Sequence, residues 1–250
     1  MPLHDRIALI TGSSSGIGRG VALAFAAAGA DLVINHPGPG EAGAAAAVAE
    51  AVRGLGRRAL VVQADVSEEE EASALVARAT AAFGRVDILV NNAGIAPAGA
   101  VHELPVAVWD RVLAVHLRGT FLMTRAVLPA MYARGHGRII NTASQLAYKG
   151  APGFAAYTAA KGAILAFTRS TALELGASGI TINCVAPGAT RTPMLDGVPP
   201  AVLEAIRQAI PLGRLAEVDD IAPSYVFLAS EAARHYQGQC LSPNGGDVFL

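Results

Sequence analysis

Three side chains between residues 144 and 161 have the types and the spacing for proton transfer. They are Ser144, Tyr157 and Lys161. Tyr157 and Lys161 are four positions apart, so a helix places the phenol and the ammonium one turn apart on the same face. A cation beside a phenol favours the phenolate and lowers a pKa of about 10 toward the working range of a general acid or base. The Ser144 hydroxyl would position a substrate oxygen. Taken alone, the Tyr157–Lys161 pair is also typical of two solvated neighbours on a helix surface.

A glycine-rich turn near the start of the chain predicts a dinucleotide site. The sequence TGSSSGIG contains Gly12, Gly16 and Gly18, with an apolar strand before it and an Ala-rich helix after it. These glycines permit a tight turn and let backbone N–H groups approach a pyrophosphate, and the helix N-terminus adds partial positive charge. The next strand, residues 31–35, completes a βαβ unit of the length that a dinucleotide fold requires.

The hydrophobic pattern alternates strands and helices along the chain, which predicts one α/β domain over residues 1–250. Predicted strands cover residues 6–11, 31–35, 58–63, 86–90, 138–142, 180–185 and 238–242. Predicted helices cover residues 16–28, 41–56, 106–134, 152–176 and 217–230, and a further helix begins at a capping box of Ser67 and Glu70 and ends near Phe83.

Loops that follow three strands are predicted to meet at one edge of the sheet. The glycine turn follows the first strand, Asn91-Asn92-Ala93-Gly94 follows the fourth, and Ser144 follows the fifth. Small and amide side chains at 91–94 suit a backbone that touches a cofactor, although this sequence is also an ordinary turn. Asp65 and Val66 leave the third strand at the same edge, where Asp65 is either an adenine contact or a local turn former.

The end of the second strand bears on the choice between NAD and NADP. An acid there binds the ribose 2′-hydroxyl of NAD, and a basic group accepts the 2′-phosphate of NADP. The sequence offers Asn35 and His36 and neither an acid nor an Arg. Ser14, Asn35 and His36 could donate hydrogen bonds to a phosphate. These residues therefore slightly favour NADP over NAD. An ordinary transition from strand to loop, without a role in cofactor binding, explains these residue types equally well.

Composition and charge exclude several classes of function. The chain is 52% hydrophobic and carries a net charge of −1 without a basic run, which argues against a nucleic-acid partner. No stretch reaches the roughly 18 apolar residues of a membrane span, and the N-terminus has no signal-peptide pattern, so a cytoplasmic protein is expected. Cys184 and Cys240 lack a paired-thiol or zinc spacing, which predicts buried, reduced thiols, and the histidines form no metal motif.

Two segments are predicted to act around the site. The helix that carries Tyr157 is Ala- and Gly-rich on every face, which indicates burial on more than one side. We therefore expect a homotetramer or homodimer assembled through the helices at 106–134 and 152–176. Residues 189–212 are rich in Pro and Gly and long for a loop, which is typical of a substrate lid.

These motifs occur together and in order: TGSSSGIG, NNAG at 91–94, Ser144 thirteen positions before YxxxK, and Pro187-Gly188. In this respect the chain resembles the short-chain dehydrogenase/reductase family over nearly its whole length. The resemblance implies a doubly wound Rossmann fold with a seven-stranded parallel sheet, helices on both faces and a nicotinamide cofactor. It also implies hydride transfer to or from an alcohol or carbonyl carbon.

The resemblance further implies a role for each matched residue. Tyr157 would be the general acid or base, Ser144 would position the substrate oxygen, and Lys161 would lower the Tyr157 pKa and bind the nicotinamide ribose. The cofactor contacts it implies are Gly12, Gly16, Ile17 and Gly18 at the pyrophosphate, Asp65 and Val66 at adenine, and Asn91, Ala93, Gly94, Pro187, Gly188, Thr190 and Thr192 at nicotinamide.

One position departs from the family pattern. His116 stands in VLAVHLRGTF where the family usually has an Asn that helps to hold a water between the catalytic Lys and solvent. If a backbone carbonyl holds that water, His116 fills space and the proton relay survives, which is the outcome we favour. If the Asn side chain shapes the helix there, proton exchange is altered.

The sequence leaves the substrate open. Gln145, Tyr148 and Lys149 follow Ser144 and suit a polyol, sugar or hydroxy-acid. Against this, Phe154, Met194 and Leu195 could line an apolar pocket for a 3-oxoacyl thioester. The substrate contacts expected in either case are Ser144, Gln145, Tyr157 and Met194. A binding protein that senses the redox ratio without catalysis is an alternative of another class, which the complete Ser/Tyr/Lys set disfavours because pure binding needs no proton donor.

Overall fold

A seven-stranded parallel β-sheet forms the centre of the molecule in a computed structural model that describes residues 1–249. The strands are β1 (Ile7–Ile10), β2 (Asp31–His36), β3 (Ala59–Gln63), β4 (Ile88–Asn91), β5 (Gly137–Thr142), β6 (Ile180–Val185) and β7 (Cys240–Leu241). Their spatial order is β3-β2-β1-β4-β5-β6-β7, and every neighbouring pair is parallel. The predicted doubly wound fold and all of its strands are confirmed.

The helices cover both faces of this sheet. They are α1 (Gly16–Ala27), α2 (Ala42–Gly54), α3 (Glu69–Phe83), α4 (Val106–Leu113), α5 (Gly119–Arg134), α6 (Leu146–Lys149), α7 (Ala155–Leu175), α8 (Pro200–Ala209) and α9 (Val218–Ala229). Alternate strand residues divide between two cores: Ala8 and Ile10 join the core against α1 and α9, whereas Leu9 and Val33 join the core against α3 and α5. Because both faces are covered, the central strands are apolar throughout, as parallel sheets require.

The order of the strands in the sheet determines where a ligand crevice forms. β1 leads outward to β2 on one side, while β4 adjoins β1 on the other, so the loops after β1 and β4 leave the sheet in opposite directions. A ligand crevice forms at such a switch point, outside the carboxyl ends of the strands. Asn92 bridges the two loops, since its Nδ2 donates to the Thr11 and Gly12 carbonyls at 3.0 and 3.1 Å.

The helical stretch expected over residues 106–134 is confirmed, and within it α4 and α5 are joined by a π-helical segment, Ala114–Arg118. Two other local predictions need correction. The segment 189–212 is not a long loop, because it contains α8 and a short 3₁₀ turn. The capping box of Ser67 and Glu70 does not form: α3 begins at Glu69, and the Ser67 hydroxyl donates to the Asp65 carboxylate instead.

The described helices were also compared with the dimensions of a lipid bilayer. None of them, within residues 1–249, combines the length and the apolar character needed to cross one.

Candidate active site

The structure brings Ser144, Tyr157 and Lys161 together. Ser144 lies two residues beyond β5, and Tyr157 and Lys161 lie on the first turns of α7, which packs on β5 and β6. The Lys161 Nζ is 5.6 Å from the centre of the Tyr157 ring and donates to the Thr142 carbonyl at 2.5 Å. Ser144 is 7% exposed and Lys161 3%, whereas Tyr157 is only partly buried, so the hydroxyl and the amine lie inside and the phenol stands at the entrance of one shared site.

The acidity of these groups differs from the sequence-based prediction. Burial raises the pKa of Tyr157, and a hydrogen bond with Ser144 only partly opposes that rise. Burial also lowers the pKa of Lys161 to about 7, so this amine is only partly charged near neutrality. The prediction that Lys161 lowers the Tyr157 pKa is therefore wrong for the protein without cofactor, because desolvation dominates both groups and the amine is bound to a strand carbonyl.

His116 forms the wall behind Tyr157. It sits in the π-helical segment, 1% exposed, with its ring perpendicular to the Tyr157 ring and the centroids 5.3 Å apart. Its Nε2 lies 3.0 Å from the Ile95 backbone nitrogen and 2.7 Å from the Ile95 carbonyl oxygen, whereas its Nδ1 has no hydrogen-bond partner among the described residues. Burial, followed by the charge of Lys161, lowers the pKa of His116 to about 3, so the imidazole is neutral.

The loop after β4 packs closely against the His116 imidazole. A Cβ atom on Gly94 would come within 2.3 Å of His116 Cε1, so only glycine fits there. The neighbouring Asn91 is 5% exposed, and its Nδ2 donates to Asn141 Oδ1 at 2.8 Å and to Thr124 Oγ1 at 3.1 Å. Asn91 thus ties β4 to β5 beneath the crevice, and its Oδ1 has no partner among the described residues.

The turn between β1 and α1 fits a pyrophosphate. Gly12 and Gly16 adopt φ values of +59° and +54°, which other residues rarely take, and a Cβ on Gly18 would lie 2.3 Å from the Gly12 carbonyl oxygen. No side chain caps α1, and its first turn contains no acid. The unpaired N–H groups at the start of α1, including that of Ile17, are therefore open to an anionic ligand.

The segment after β6 lies against the same turn. Gln145 N–H donates to the Pro187 carbonyl at 3.1 Å, and a Cβ on Gly188 would come within 2.7 Å of Asn244 Cα. Farther along, Thr192 Cβ would be 3.5 Å from a Cβ on Gly16, which puts residues 187–192 over the start of α1. Thr190 is 5% exposed, and its hydroxyl donates to the Gly188 carbonyl at 2.9 Å.

At the exit of β3, Asp65 is engaged by protein groups. Its carboxylate accepts from Ser67 Oγ and Arg111, each at 2.7 Å, and these bonds outweigh burial so that the Asp65 pKa is lowered. Arg111 belongs to α4, so this cluster fastens α4 to the rim of the sheet. The adjacent Val66 is buried, with its side chain and its carbonyl oxygen against Gly119.

The side chains predicted to bind a phosphate at the end of β2 already form hydrogen bonds with protein groups. The Asn35 amide accepts from the Gly12 N–H and donates to the Val62 and Ala64 carbonyls, and the His36 Nδ1 lies 2.9 Å from the Gly38 carbonyl oxygen. The Ser14 hydroxyl donates to the Glu41 carboxylate. The expectation that no acid is present is therefore wrong, because the 3₁₀ turn Pro39–Glu41 folds Glu41 back onto the glycine turn.

Two polar side chains beside Ser144 are held by the C-terminal segment. The Asp247 carboxylate accepts from Gln145 Nε2 at 2.7 Å and from Lys149 Nζ at 2.6 Å. Gln145 Oε1 is buried without a partner among the described residues and would lie 3.2 Å from a Cβ on Gly188, so it borders the crevice. Met194, in contrast, is 51% exposed in the 3₁₀ turn Pro193–Leu195, and no contact joins it to the buried catalytic groups.

The chain was compared with known families and proteins. A family model described as "Enoyl-(Acyl carrier protein) reductase" matches residues 12–247. The chain is 43% identical to a subunit of (2S)-[(R)-hydroxy(phenyl)methyl]succinyl-CoA dehydrogenase from Thauera aromatica, with 98% of each chain covered. It is 42% identical to cis-4-hydroxycyclohexanecarboxylate dehydrogenase from Sinomonas cyclohexanicum, covering 97% of this chain and 96% of that protein. It is also 37% identical to the 3-oxoacyl-[acyl-carrier-protein] reductase FabG of Staphylococcus aureus, covering 96% of both.

The chain belongs to the short-chain dehydrogenase/reductase family. Solved structures agree: a protein described as a short-chain alcohol dehydrogenase from Sinorhizobium meliloti superposes with a TM-score of 0.94 at 33% identity, covering 98% of this chain and 97% of that one. Levodione reductase superposes with a TM-score of 0.91 at 35% identity, with 98% of each chain covered. This short-chain dehydrogenase/reductase is an NAD(P)-dependent oxidoreductase that interconverts alcohols and ketones, so the alternative of a non-catalytic sensor is set aside.

Sequence reasoning missed four residues around this short-chain dehydrogenase/reductase site. Asn92 and the Thr11 hydroxyl bind the loops after β1 and β4 to each other, since Thr11 Oγ1 accepts from the Asn92 and Ala93 N–H groups at 2.9 and 3.0 Å. Glu41 reaches Ser14 in the glycine turn, and Asp247 reaches Gln145 beside Ser144. A hint was present for Thr11 and Asn92, which adjoin predicted contacts; Glu41 and Asp247 arrive through loop folding that no local pattern encodes.

Proposed function

We propose that this short-chain dehydrogenase/reductase oxidises a secondary hydroxyl of a hydroxy-acid, polyol or sugar, or reduces the matching ketone, with Ser144, Tyr157 and Lys161 as its catalytic residues. The observation that carries the proposal is the placement of one hydroxyl, one phenol and one amine in a buried site beside a glycine cradle. A binding module would not need a phenol beside a buried amine, which costs free energy to desolvate.

Each side chain has a distinct part in the proposed reaction. The nicotinamide ring, when bound, accepts or supplies the hydride. Tyr157 moves a proton to or from the substrate oxygen, and the Ser144 hydroxyl donates a hydrogen bond to the developing oxyanion. Lys161 lies behind the phenol, where its amine would bind the cofactor ribose and, when protonated, favour the phenolate over the raised pKa that burial imposes.

The polar rim favours a hydroxylated substrate. Gln145 is held by Asp247 so that its Oε1 remains available as an acceptor for a substrate hydroxyl. Lys149 is paired with Asp247, which leaves the rim close to neutral. The relative that acts on cis-4-hydroxycyclohexanecarboxylate supports an alicyclic hydroxy-acid as the first compound to test.

A 3-oxoacyl thioester is the second candidate. It is supported by the 37% identity to FabG of Staphylococcus aureus and by the exposed Met194 near the crevice mouth. The deciding experiment follows cofactor absorbance with cis-4-hydroxycyclohexanecarboxylate, a cyclic diketone, a polyol panel and acetoacetyl-CoA. We expect the highest kcat/KM with a hydroxylated or cyclic substrate; a kcat/KM at least tenfold higher with the thioester would establish the second candidate instead.

For the cofactor we propose NAD in place of the slight sequence-based lean to NADP. Asn35, Ser14 and the Nδ1 of His36 already bind protein groups, and the Glu41 carboxylate bound to Ser14 would repel an added phosphate. The carboxylate is instead suited to accept a hydrogen bond from a ribose hydroxyl. Parallel kcat/KM measurements with NAD and NADP decide the point, and a higher value with NADP would refute it.

We further propose that the enzyme acts in the cytoplasm as a homotetramer or homodimer through the helices at 106–134 and 152–176. Phe121 on α5 is 45% exposed and Leu173 on α7 is 84% exposed, which supports contact between copies at these helices. We also retain residues 189–212 as a lid over the substrate, now built around α8. Sedimentation of wild type and of Leu173→Glu tests the assembly: we expect wild type to be oligomeric and the variant to dissociate.

A further inference from the structure

Two cysteines that are distant in sequence meet at the edge of the sheet. Cys184 on β6 pairs in register with Cys240 on β7. Adjacent strands lie about 4.8 Å apart, and this falls within the Cα separation that a disulfide accepts. Because residues in register on neighbouring strands face the same side of a sheet, the two side chains point to the same face. Both are reduced in this structure.

A cavity of about 650 Å³ opens onto both thiols. Its lining combines the two sulfurs with a phenol, a guanidinium and the backbone before β7: Tyr148, Leu165, Thr168, Arg169, Cys184, Gly238, Gln239 and Cys240. Arg169 is exposed and has neither an ion pair nor a hydrogen bond among residues 1–249. The cavity therefore offers an unneutralised cation beside a pair of thiols.

The two thiols are unequal. Cys184 is 1% exposed, whereas Cys240 is only partly buried and is the more accessible thiol. The neighbouring Cys184, Tyr148 and Arg169 lower the pKa of Cys240 against the effect of burial, and the neighbouring Cys240 and burial raise the pKa of Cys184. Because an accessible thiolate is the nucleophile, Cys240 reacts first and Cys184 second.

We propose that Cys184 and Cys240 form a thiol–disulfide exchange site that accepts small anionic disulfides, of which oxidised glutathione is the probe. The Cys240 thiolate attacks one sulfur of the reagent and releases one thiolate, leaving a mixed disulfide on Cys240. The Cys184 thiol gives its proton to that released thiolate, and its sulfur then attacks Cys240 Sγ and expels the second thiolate. The protein loses two electrons, and the reagent is reduced to two thiols.

The cavity lies beside the proposed contact surface of α7 and not beneath it. The outward strip of α7 contains Ala166, Ser170 and Leu173, all exposed. Arg169 lies on the side of α7 that adjoins β7, since it lines the cavity and a Cβ on Gly238 would lie 3.9 Å from Arg169 Cα. Assembly through the outward strip thus leaves a route to the thiols along the sheet edge.

The site is also connected to the catalytic layer. Cys184 Sγ is 3.1 Å from Thr168 Oγ1, which accepts from Asn141 Nδ2 at 2.8 Å, and Asn141 accepts in turn from Asn91. Tyr148 lies four residues beyond Ser144. Closure of the disulfide would fix β7 to β6 and would remove the Cys184 thiol proton at the end of this polar chain.

The test is intact-mass spectrometry of the native oligomer after exposure to oxidised glutathione, with thiols counted by alkylation. We expect wild type to lose the mass of two hydrogen atoms and both free thiols, reversibly with dithiothreitol. Cys184→Ser should accumulate one glutathione adduct on Cys240, and Cys240→Ser should stay unmodified. These mass and thiol measurements do not depend on catalytic activity, so their outcome is distinguishable from a failure of the proposed function.

The charge of the reagent gives a second criterion. We expect glutathione disulfide to react roughly tenfold faster than the cationic disulfide cystamine at low salt, and Arg169→Gln to abolish that preference. Two thiols that stay free in excess reagent, a mixed disulfide that persists in wild type without closing, or equal rates with both reagents would each overturn the proposal.

Discussion

The imidazole of His116 stands edge-on to the phenol of Tyr157, with the ring centroids 5.3 Å apart and the planes at 89°. The catalytic candidate is therefore held from behind by a neutral ring that is itself fixed by the Ile95 backbone. This contact supports the view that His116 fills space and orients the phenol, leaving backbone carbonyls of the π-helical segment to serve any proton relay. The family's usual Asn side chain is too short to make the same contact.

Gly94→Ala is expected to lower kcat by displacing His116. The added methyl group would lie 2.3 Å from His116 Cε1, so the ring must shift and its contacts with Tyr157 and Ile95 are disturbed. In the His116→Asn background the shorter side chain relieves this overlap, so the second substitution should cost much less. We expect a coupling free energy of about 1–3 kcal/mol from the four melting curves and kcat values. Additive effects would show that the two residues do not act on each other.

His116 makes stability depend on pH. Its pKa is lowered to about 3 in the folded protein, against about 6.5 when unfolded, so the unfolded chain binds more protons between these values. Stability conferred by the neutral ring is complete above pH about 6.5 and is lost as the pH falls through this window. Wild type should lose about 2 kcal/mol more than His116→Asn between pH 7 and 5 in urea denaturation.

The same His116→Asn variant tests the proton relay. If the backbone serves the relay, the pH profile of kcat/KM should keep its shape, with kcat within about tenfold of wild type. A profile displaced by more than one pH unit would contradict this and assign the relay to the side chain.

Tyr157→Phe should lower kcat by about 10²–10⁴ while the Kd for NADH stays within about twofold. The loss follows because Tyr157 is the proposed donor and acceptor of the substrate proton. Tyr148→Phe is the matched control, because its phenol faces the cysteine cavity and not Ser144. Turnover retained in Tyr157→Phe would refute the proposed mechanism.

Lys161→Met should abolish activity and yet stabilise the protein near neutrality. Burial lowers the Lys161 pKa to about 7 from 10.5, so wild-type stability rises with pH between these values. Methionine has no charge to desolvate, so Lys161→Met should be more stable than wild type at pH 7. The difference in the free energy of unfolding between the two proteins should shrink by about 2–3 kcal/mol between pH 7 and 9. Urea denaturation at both pH values measures this; an advantage that does not change with pH would mean that Lys161 is not desolvated.

Glu41→Gln should change cofactor selectivity without changing the fold. Removing the carboxylate beside Ser14 relieves repulsion of a 2′-phosphate, so the Kd for NADPH should fall roughly tenfold while that for NADH is unchanged or rises. Glu50→Gln, on the exposed face of α2, is the matched control. Fluorescence titration with NADH and NADPH measures both Kd values. Equal changes in Kd in the two variants would show that Glu41 does not act on the adenosine part of the cofactor.

The amino-acid sequence by itself determined the strand and helix order, the glycine cradle and the grouping of Ser144, Tyr157 and Lys161, because hydrophobic periodicity and turn residues are local signals. Only the tertiary structure decided what surrounds those groups. Desolvation reversed the expected acidity of Tyr157, loop folding brought Glu41 to Ser14 and Asp247 to Gln145, and strand register paired Cys184 with Cys240. Each of these depends on contacts between residues far apart in the chain, and spacing along a sequence carries no information about burial or about which distant side chains become neighbours.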